Sequence, residues 1–444
     1  MFESHATPFR EGDRVSFIGD STTHSSSWHS FVRAYYATRL PQANLWFTNC
    51  GISGDSAEGA VARFADDILP SRPNVAVVMF GMNDVWRSCY EPHLPLDASN
   101  VARRAEAIDR FDAATRQLVS QFRDTGCSRI TLVTPCPFDD EVVSEQPNLP
   151  GVNAALGLLS ERTSAIANEL GLGFINIHTP MTVIGRKMRQ SDPTLTLNRI
   201  DRVHPMGVGM RIKAELFLAA QGIGDSSASV AIDAQMGVVT GAQSASVCEL
   251  TRESRGLEFT MTMGTLPLPL DEDALEARAL LPFTPPDCSD MLNVTGLGTG
   301  TFSLYEDDVL LGGFSGNELA AGVNLSSFAH APRALQAAAL ADRVEADRAL
   351  QCLLRDMRLT KIKILTRPDL DFSNPLAVQA EMDAILTASK ERGDNTAFTE
   401  HVFEGFRRIS PIEEQTLDEI RTGQDAINTA AEPRGHRYRI VPAP

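Results

Sequence analysis

Residues 17–21 read Phe17-Ile18-Gly19-Asp20-Ser21, the end of an apolar run from Arg14 that is delivered straight into Gly-Asp-Ser and followed by a helix-prone segment after Ser27. A serine at such a junction lies on the C-terminal edge of a sheet, where open α/β folds place ligands. Its amide stands near a helix N-terminus. The tripeptide alone decides little, because Gly224-Asp225-Ser226 repeats it after a helical stretch and reads as linker.

The surrounding sequence gives the first copy its context. Apolar, β-branched runs at Arg14 to Ile18, Leu45 to Asn49, Val75 to Phe80, Ile130 to Thr134 and Gly173 to Ile177 predict strands. Between and after them, amphipathic stretches predict helices at Ser27 to Leu40, Ala57 to Ile68, Val101 to Asp124, Asn153 to Leu170 and Gly207 to Gln221. Alternation of this kind is the pattern of a parallel α/β sheet.

Three further motifs fall at the ends of this series. Asn49-Cys50-Gly51-Ile52-Ser53-Gly54-Asp55 follows the second strand, and its glycines suit a backbone that turns sharply and presents an amide to a developing oxyanion. Gly81-Met82-Asn83-Asp84 follows the third strand and sets an Asn side chain on the same edge as Ser21. Asp201-Arg202-Val203-His204-Pro205 precedes the last helix, a spacing that lets the carboxylate meet one ring nitrogen while the other faces a serine. Singly, these read as a tight turn, a helix cap and a capping loop. Their order along one sheet edge is what points to acyl transfer.

Together the four segments resemble the four consensus blocks of the SGNH (GDSL-like) hydrolases, over Arg14 to Gln221. The resemblance implies a flavodoxin-like three-layer fold with Ser21 as nucleophile, His204 as general base and Asp201 as its orienting partner. It further implies an oxyanion hole made of the backbone amides of Ser21 and Gly54 and the side chain of Asn83. Thr22-Thr23-His24 departs from the Ile-Thr that many relatives carry after the serine. The implied activity is a serine esterase acting on carbohydrate or short-chain acyl esters. The same fold and triad also serve lipases, lysophospholipases, thioesterases and acyltransferases, and the scaffold can act as a binding module.

Beyond Gly222 the composition shifts. Residues 1–223 are expected to form the hydrolase domain, 224–328 a β-rich accessory region and 329–444 a mainly helical region. Ser229 to Met263 predicts two or three strands, and the proline-punctuated stretch from Leu266 cannot be a regular central strand. The segments LPLPL, LNVTGL (Leu292 to Leu297) and ELAAGVNL (Glu318 to Leu325) are similar to those of a bacterial group of SGNH proteins with a C-terminal extension. Ala331 to Leu354 carries an apolar face that must be covered by the hydrolase unit or by a second copy of the chain.

With 444 residues, core material is ample for more than one unit. Forty basic against fifty-seven acidic residues leave a net charge of -17, which repels phosphate backbones and excludes nucleic acid as a partner. No run is long enough to span a bilayer, and no membrane partner is expected. The N-terminal stretch has neither basic nor apolar signal regions, so a cytoplasmic protein is expected. Seven scattered cysteines lack metal spacing, read as reduced thiols, and give no reason to expect a metal or cofactor. His24 and His29 are expected in the pocket or on the surface.

Overall fold

The computed structural model describes residues 4–25, 27–252 and 256–443. Residues 1–3 of the N-terminal stretch and 253–255 within the Ser229 to Met263 span lie outside the described residues. The first half carries strands β1 (Arg14–Gly19), β2 (Trp46–Gly51), β3 (Val75–Met79), β4 (Arg129–Val133) and β5 (Gly173–Ile175). They pair in parallel in the order β2-β1-β3-β4-β5. β3 is buried along its whole length, as a strand covered on both faces must be.

Helices α1 (Ser21–His24), α2 (Trp28–Arg39), α3 (Ala57–Ala62), α4 (Ala98–Asp124), α5 (Val152–Leu170), α6 (His178–Arg189) and α7 (Val208–Ala220) cover the sheet. One core gathers Ile18, Val78, Ala60, Phe111, Leu118 and Leu156 with α3, α4 and α5. The opposite core gathers Phe17, Val77, Trp28, Val32, Ile184 and Phe217 with α2, α6 and α7. This is the flavodoxin-like three-layer arrangement. Its strand order reverses between β1 and β3, so the loops after these strands open a crevice.

Two elements depart from the sequence reading. The helix expected over Ala57 to Ile68 ends at Ala62 and continues as a π-helical turn, Phe64–Ile68, because Arg63 turns inward to Asp55, Asp67 and the Cys50 carbonyl. α6 was not anticipated, since Pro180 and Gly185 lower its intrinsic propensity. Pro180 falls in the first turn, where no N–H is missed.

The second half carries β6 (Ala228–Asp233), β7 (Val238–Gln243), β8 (Ala245–Arg252), β9 (Leu257–Met263), α8 (Glu272–Leu280), β10 (Asp290–Thr295), β11 (Thr301–Glu306), β12 (Val309–Ser315), α9 (Gly316–Ala321) and β13 (Val323–Asn324). Helices α10 (Pro332–Leu359), α11 (Pro375–Glu391), α12 (Ala397–Ile409) and α13 (Glu413–Ala431) follow, and β14 (His436–Pro442) closes the chain. Two sheets form, β13-β10-β6-β7 and β12-β11-β14-β9-β8. Their alternating buried residues meet in one core around Val230, Phe259, Leu292, Leu304 and Tyr438. Ser229 to Met263 thus holds four strands rather than two or three. The final segment, expected to be mainly helical, sends β14 back between β11 and β9.

α10 lies against α2 and the β2 edge. Gln424 both accepts from Phe47 N and donates to its carbonyl, at 2.8 Å each. Gln351 donates to the same carbonyl at 3.1 Å and accepts from Asn49 N at 2.7 Å. Two buried glutamines therefore satisfy an edge that would otherwise invite another strand. Arg33 and Asp347 add a buried ion pair at 3.0 Å. The helical region is thus docked on the parallel-sheet unit rather than trailing from it. Among the described residues, no helix is long and apolar enough to cross a membrane.

Candidate active site

β1 ends at Gly19, and Asp20 caps the one-turn helix α1. The Asp20 carboxylate accepts from Thr22 N at 3.0 Å and Thr22 Oγ1 at 2.9 Å, while its carbonyl takes the amides of Thr23 and His24. Ser21 is the first residue of that helix, so its own N–H has no intrahelical acceptor and can turn toward a ligand. Asp20 is almost wholly buried, and burial pushes its carboxyl up against the hydrogen bonds from Thr22.

Ser21 Oγ lies 2.7 Å from His204 Nε2. On the other side of the ring, His204 Nδ1 lies 2.6 Å from Asp201 Oδ2. The second carboxylate oxygen, Asp201 Oδ1, accepts from the amides of Val203 at 2.9 Å and His204 at 3.1 Å. Partial burial pushes Asp201 up, but the His204 side chain and the two amides outweigh it and hold the carboxyl at about 2. Asp201 is therefore ionised at any pH where the fold is expected to work, and an ionised carboxylate fixes the proton of the neutral imidazole on Nδ1. That leaves the Nε2 lone pair for the Ser21 hydroxyl.

The loop that carries Asp201 and His204 is held from within. Arg202 adopts a left-handed φ of 66° and is buried, donating to the carbonyls of Asp139 and Val142 at 2.9 Å each and of Gln146 at 3.1 Å. Asn198 ties Pro137 and Arg202 carbonyls together. Neither residue is legible in the sequence, since an arginine between Asp and His and an asparagine upstream of them carry no motif signal until their carbonyl partners are in place.

The turn after β2 approaches α1 closely. A Cβ on Gly51 would lie 2.3 Å from His24 N, so only glycine fits there. Gly54 has a φ of +73° and open space where a Cβ would stand, so its side-chain-free, left-handed backbone can face a substrate. Asn83, after β3, donates from Nδ2 to the Asp55 carbonyl at 2.8 Å. One Nδ2 hydrogen is spent on that bond, which fixes the amide plane and leaves the second available. Arg87 Nη2 lies 3.4 Å from Asn83 Oδ1. Asp84 accepts from Ala57 N at 2.9 Å, and burial raises its carboxyl to about 7, with Asp20 and Asp55 nearby adding to the rise.

The structure therefore brings Ser21, Asp201 and His204 into one hydrogen-bonded chain, and sets Gly54 and Asn83 in neighbouring turns joined through Asp55. Ser226 lies in the linker between α7 and β6, bonded to Tyr35 at 3.2 Å and Arg39 at 3.3 Å. Cys50 is buried, and burial pushes its thiol up, away from nucleophilic use. The expectation that His24 and His29 sit in the pocket or on the surface is corrected. His29 is buried, stacked on Phe17 with ring centroids 5.1 Å apart and bonded to the Thr23 carbonyl. His24 is buried behind the Gly54 turn. Among the described residues, no group of three His, Cys, Asp or Glu side chains is arranged to hold a metal.

Residues 17–212 match the family described as GDSL-like lipase/acylhydrolase. An acetylxylan esterase of Geobacillus stearothermophilus is 24% identical over 222 residues, 47% of this chain and 93% of that protein. An uncharacterized lipoprotein of Bacillus subtilis is 36% identical over 78 residues, 16% of this chain and 32% of that one. Among solved structures, a gut microbial diltiazem-metabolizing enzyme aligns over 99% of this chain and 100% of its own, with a TM-score of 0.85 at 24% identity. The whole architecture, extension included, is a shared fold.

Proposed function

We propose that this chain, an ester-hydrolysing enzyme that belongs through residues 17–212 to the GDSL-like lipase/acylhydrolase family, cleaves short acyl groups, acetyl first among them, from carbohydrate or other small alcohols by a Ser21-His204-Asp201 acyl-enzyme route. The observation that carries the mechanism is the unbroken chain Ser21 Oγ to His204 Nε2 at 2.7 Å and His204 Nδ1 to Asp201 Oδ2 at 2.6 Å.

In that reading His204 takes the Ser21 proton as Oγ attacks the ester carbonyl. The tetrahedral oxyanion is received by the Ser21 and Gly54 amides and the remaining Nδ2 hydrogen of Asn83. His204 then gives its proton to the departing alcohol, and a water activated by the same imidazole releases the acid. Asp201 stays ionised throughout and stabilises the transient imidazolium. The preference for acetylated sugars rests on the likeness to the acetylxylan esterase, which extends over nearly all of that protein.

The test is a panel of acetylated xylo-oligosaccharides and p-nitrophenyl esters of rising chain length, run beside labelling with a fluorophosphonate. Turnover that favours acetyl over octanoyl esters, with the label on Ser21, is expected. A preference rising with chain length would replace the short-acyl reading with a lipase-type one, and a label elsewhere would remove Ser21 as nucleophile.

A further inference from the structure

Behind the Gly54 turn lies a set of contacts that the hydrolysis scheme does not use, and three of the side chains that make it, Arg355, Asp356 and Lys363, come from the C-terminal helical region. His24 Nε2 lies 3.1 Å from Asp356 Oδ1 of α10. A carboxylate only accepts, so that ring nitrogen carries the hydrogen and Nδ1 keeps its lone pair. Nδ1 in turn accepts from the backbone N–H of Ser53 at 3.1 Å, with Ser53 Oγ at the same distance. The arrangement has the outline of a second Asp-His-Ser set. Yet the single lone pair of Nδ1 already faces the Ser53 amide, so it holds the peptide chain rather than activating the hydroxyl. Burial lowers the His24 pKa against the pull of Asp356, which keeps the ring in the neutral form this geometry requires.

Two more contacts act on the same turn. Arg355 Nε donates to the Gly51 carbonyl at 2.9 Å, and its guanidinium is anchored on Asp67 at 2.8 and 2.6 Å. Lys363 Nζ lies 2.7 Å from Asp55 Oδ1, an ion contact not aligned as a hydrogen bond, while Arg63 Nε holds Asp55 Oδ2 at 2.8 Å. The fit around these carboxylates is close on both sides. A Cβ on Gly59 would lie 1.9 Å from Asp55 Oδ1, and one on Gly405 of α12 would lie 2.8 Å from Asp356 Cβ. Ile52, in the middle of the turn, is buried in the same apolar cluster as Met357, Phe403 and Phe406. Residues 51, 52, 53 and 55 are thus each gripped by the extension or by a residue it holds, and Gly54 is the one left facing outward.

We propose that the C-terminal helical region completes the active site, with Arg355, Asp356 acting through His24, and Lys363 serving as positioning residues that hold the Gly51–Asp55 turn so that the Gly54 amide and, through the Asp55 carbonyl, the Asn83 side chain meet the oxyanion. The proposal rests on the reading of Gly54 and Asn83 as oxyanion donors. A donor gains most when it is aimed in advance, and misplacement by about 1 Å costs on the order of 10²-fold in rate. The hydrolase half alone lacks this support, because none of the three side chains comes from residues before Gly222.

The experiment uses the full chain with four variants, read by kcat and KM on p-nitrophenyl acetate and by the rate of phosphonate labelling. Asp356→Ala and Lys363→Met are expected to lower kcat by about tenfold to a hundredfold at near-constant KM, and to slow labelling by a similar factor. Asp356→Asn, which still offers an oxygen to His24 Nε2–H, is expected to recover at least half of the kcat lost in Asp356→Ala. Asn83→Ala is the control for the underlying reading, with an expected loss of about 10²–10³ in kcat. Lys363 is exposed, so its variant decides the matter should Asp356→Ala fail to fold. Wild-type kcat in folded Lys363→Met and Asp356→Ala beside a crippled Asn83→Ala would overturn the positioning role alone. An active Asn83→Ala would overturn the oxyanion reading and this proposal with it. A raised KM at unchanged kcat would assign these residues to substrate binding and overturn it too.

Discussion

Asp201→Asn tests the proposed chemistry most sharply, because the structure dictates which way the new amide must face. Asp201 Oδ1 receives two backbone N–H groups, from Val203 and His204, whereas Oδ2 receives one ring N–H. In the Asn variant the carbonyl oxygen belongs opposite the two backbone donors, since turning the NH2 toward them would set donor against donor twice. The NH2 then faces His204 Nδ1 and can only donate. Nδ1 must become the acceptor, the ring proton moves to Nε2, and the nitrogen facing Ser21 loses the lone pair that takes its proton. Loss of the orienting charge and tautomer in Ser-His-Asp enzymes costs about 10⁴ in kcat. Asp201 is partly exposed here, so some of the population can reorient, and we expect about 10³–10⁴, equivalent to roughly 4–5.5 kcal/mol in the barrier. Hydrolysis of p-nitrophenyl acetate from pH 5 to 9 is the assay, with thermal unfolding as control. The wild-type carboxyl is held at about 2, so no part of its activity profile in this range should arise from Asp201. A folded Asp201→Asn enzyme with kcat within tenfold of wild type would refute the argument.

Three further outcomes follow from the same contacts. Ser21→Ala should abolish turnover, whereas Ser226→Ala should leave it near wild type and cost about 1 kcal/mol of stability through the lost Tyr35 and Arg39 hydrogen bonds, which calorimetry and kinetics read side by side. Asp84 has its folded pKa raised to about 7, so its contribution to stability is fully present below the unfolded value and is lost as pH rises through 7. Asp84→Asn should therefore melt higher than wild type at pH 8 with no such gain at pH 4, and the reverse order in differential scanning fluorimetry would contradict the burial argument. Truncation after Gln221 uncovers Ile52 and leaves Phe47 and Asn49 without Gln351 and Gln424. The truncated chain should aggregate or lose most activity, and a soluble monomer with full kinetics would show that the extension is dispensable.

Local chemistry was enough to read the parallel sheet and the site motifs. An apolar strand that ends in Gly-Asp-Ser, a Gly-rich turn and an Asn after the next strands, and an Asp three residues before a His each announce themselves within a few residues. Their shared edge follows from the βα alternation. Less was legible where an element is stabilised by distant partners. α6 forms despite Pro180 and Gly185 because its buried face is covered by the sheet, and helix α3 breaks at Arg63 because Asp55 and Asp67 draw that side chain inward.

By itself, then, the sequence determined the α/β class and singled out Ser21, Gly54, Asn83, Asp201 and His204 as candidate site residues, because motif and periodicity are short-range properties. Tertiary structure decided that β14 inserts between β9 and β11, that glutamines from α10 and α13 seal the β2 edge, and that Arg355, Asp356 and Lys363 reach the turn carrying Gly54. Such pairings join residues hundreds of positions apart whose types carry no local signal. Only the folding of the chain into contact gives them a partner and a role.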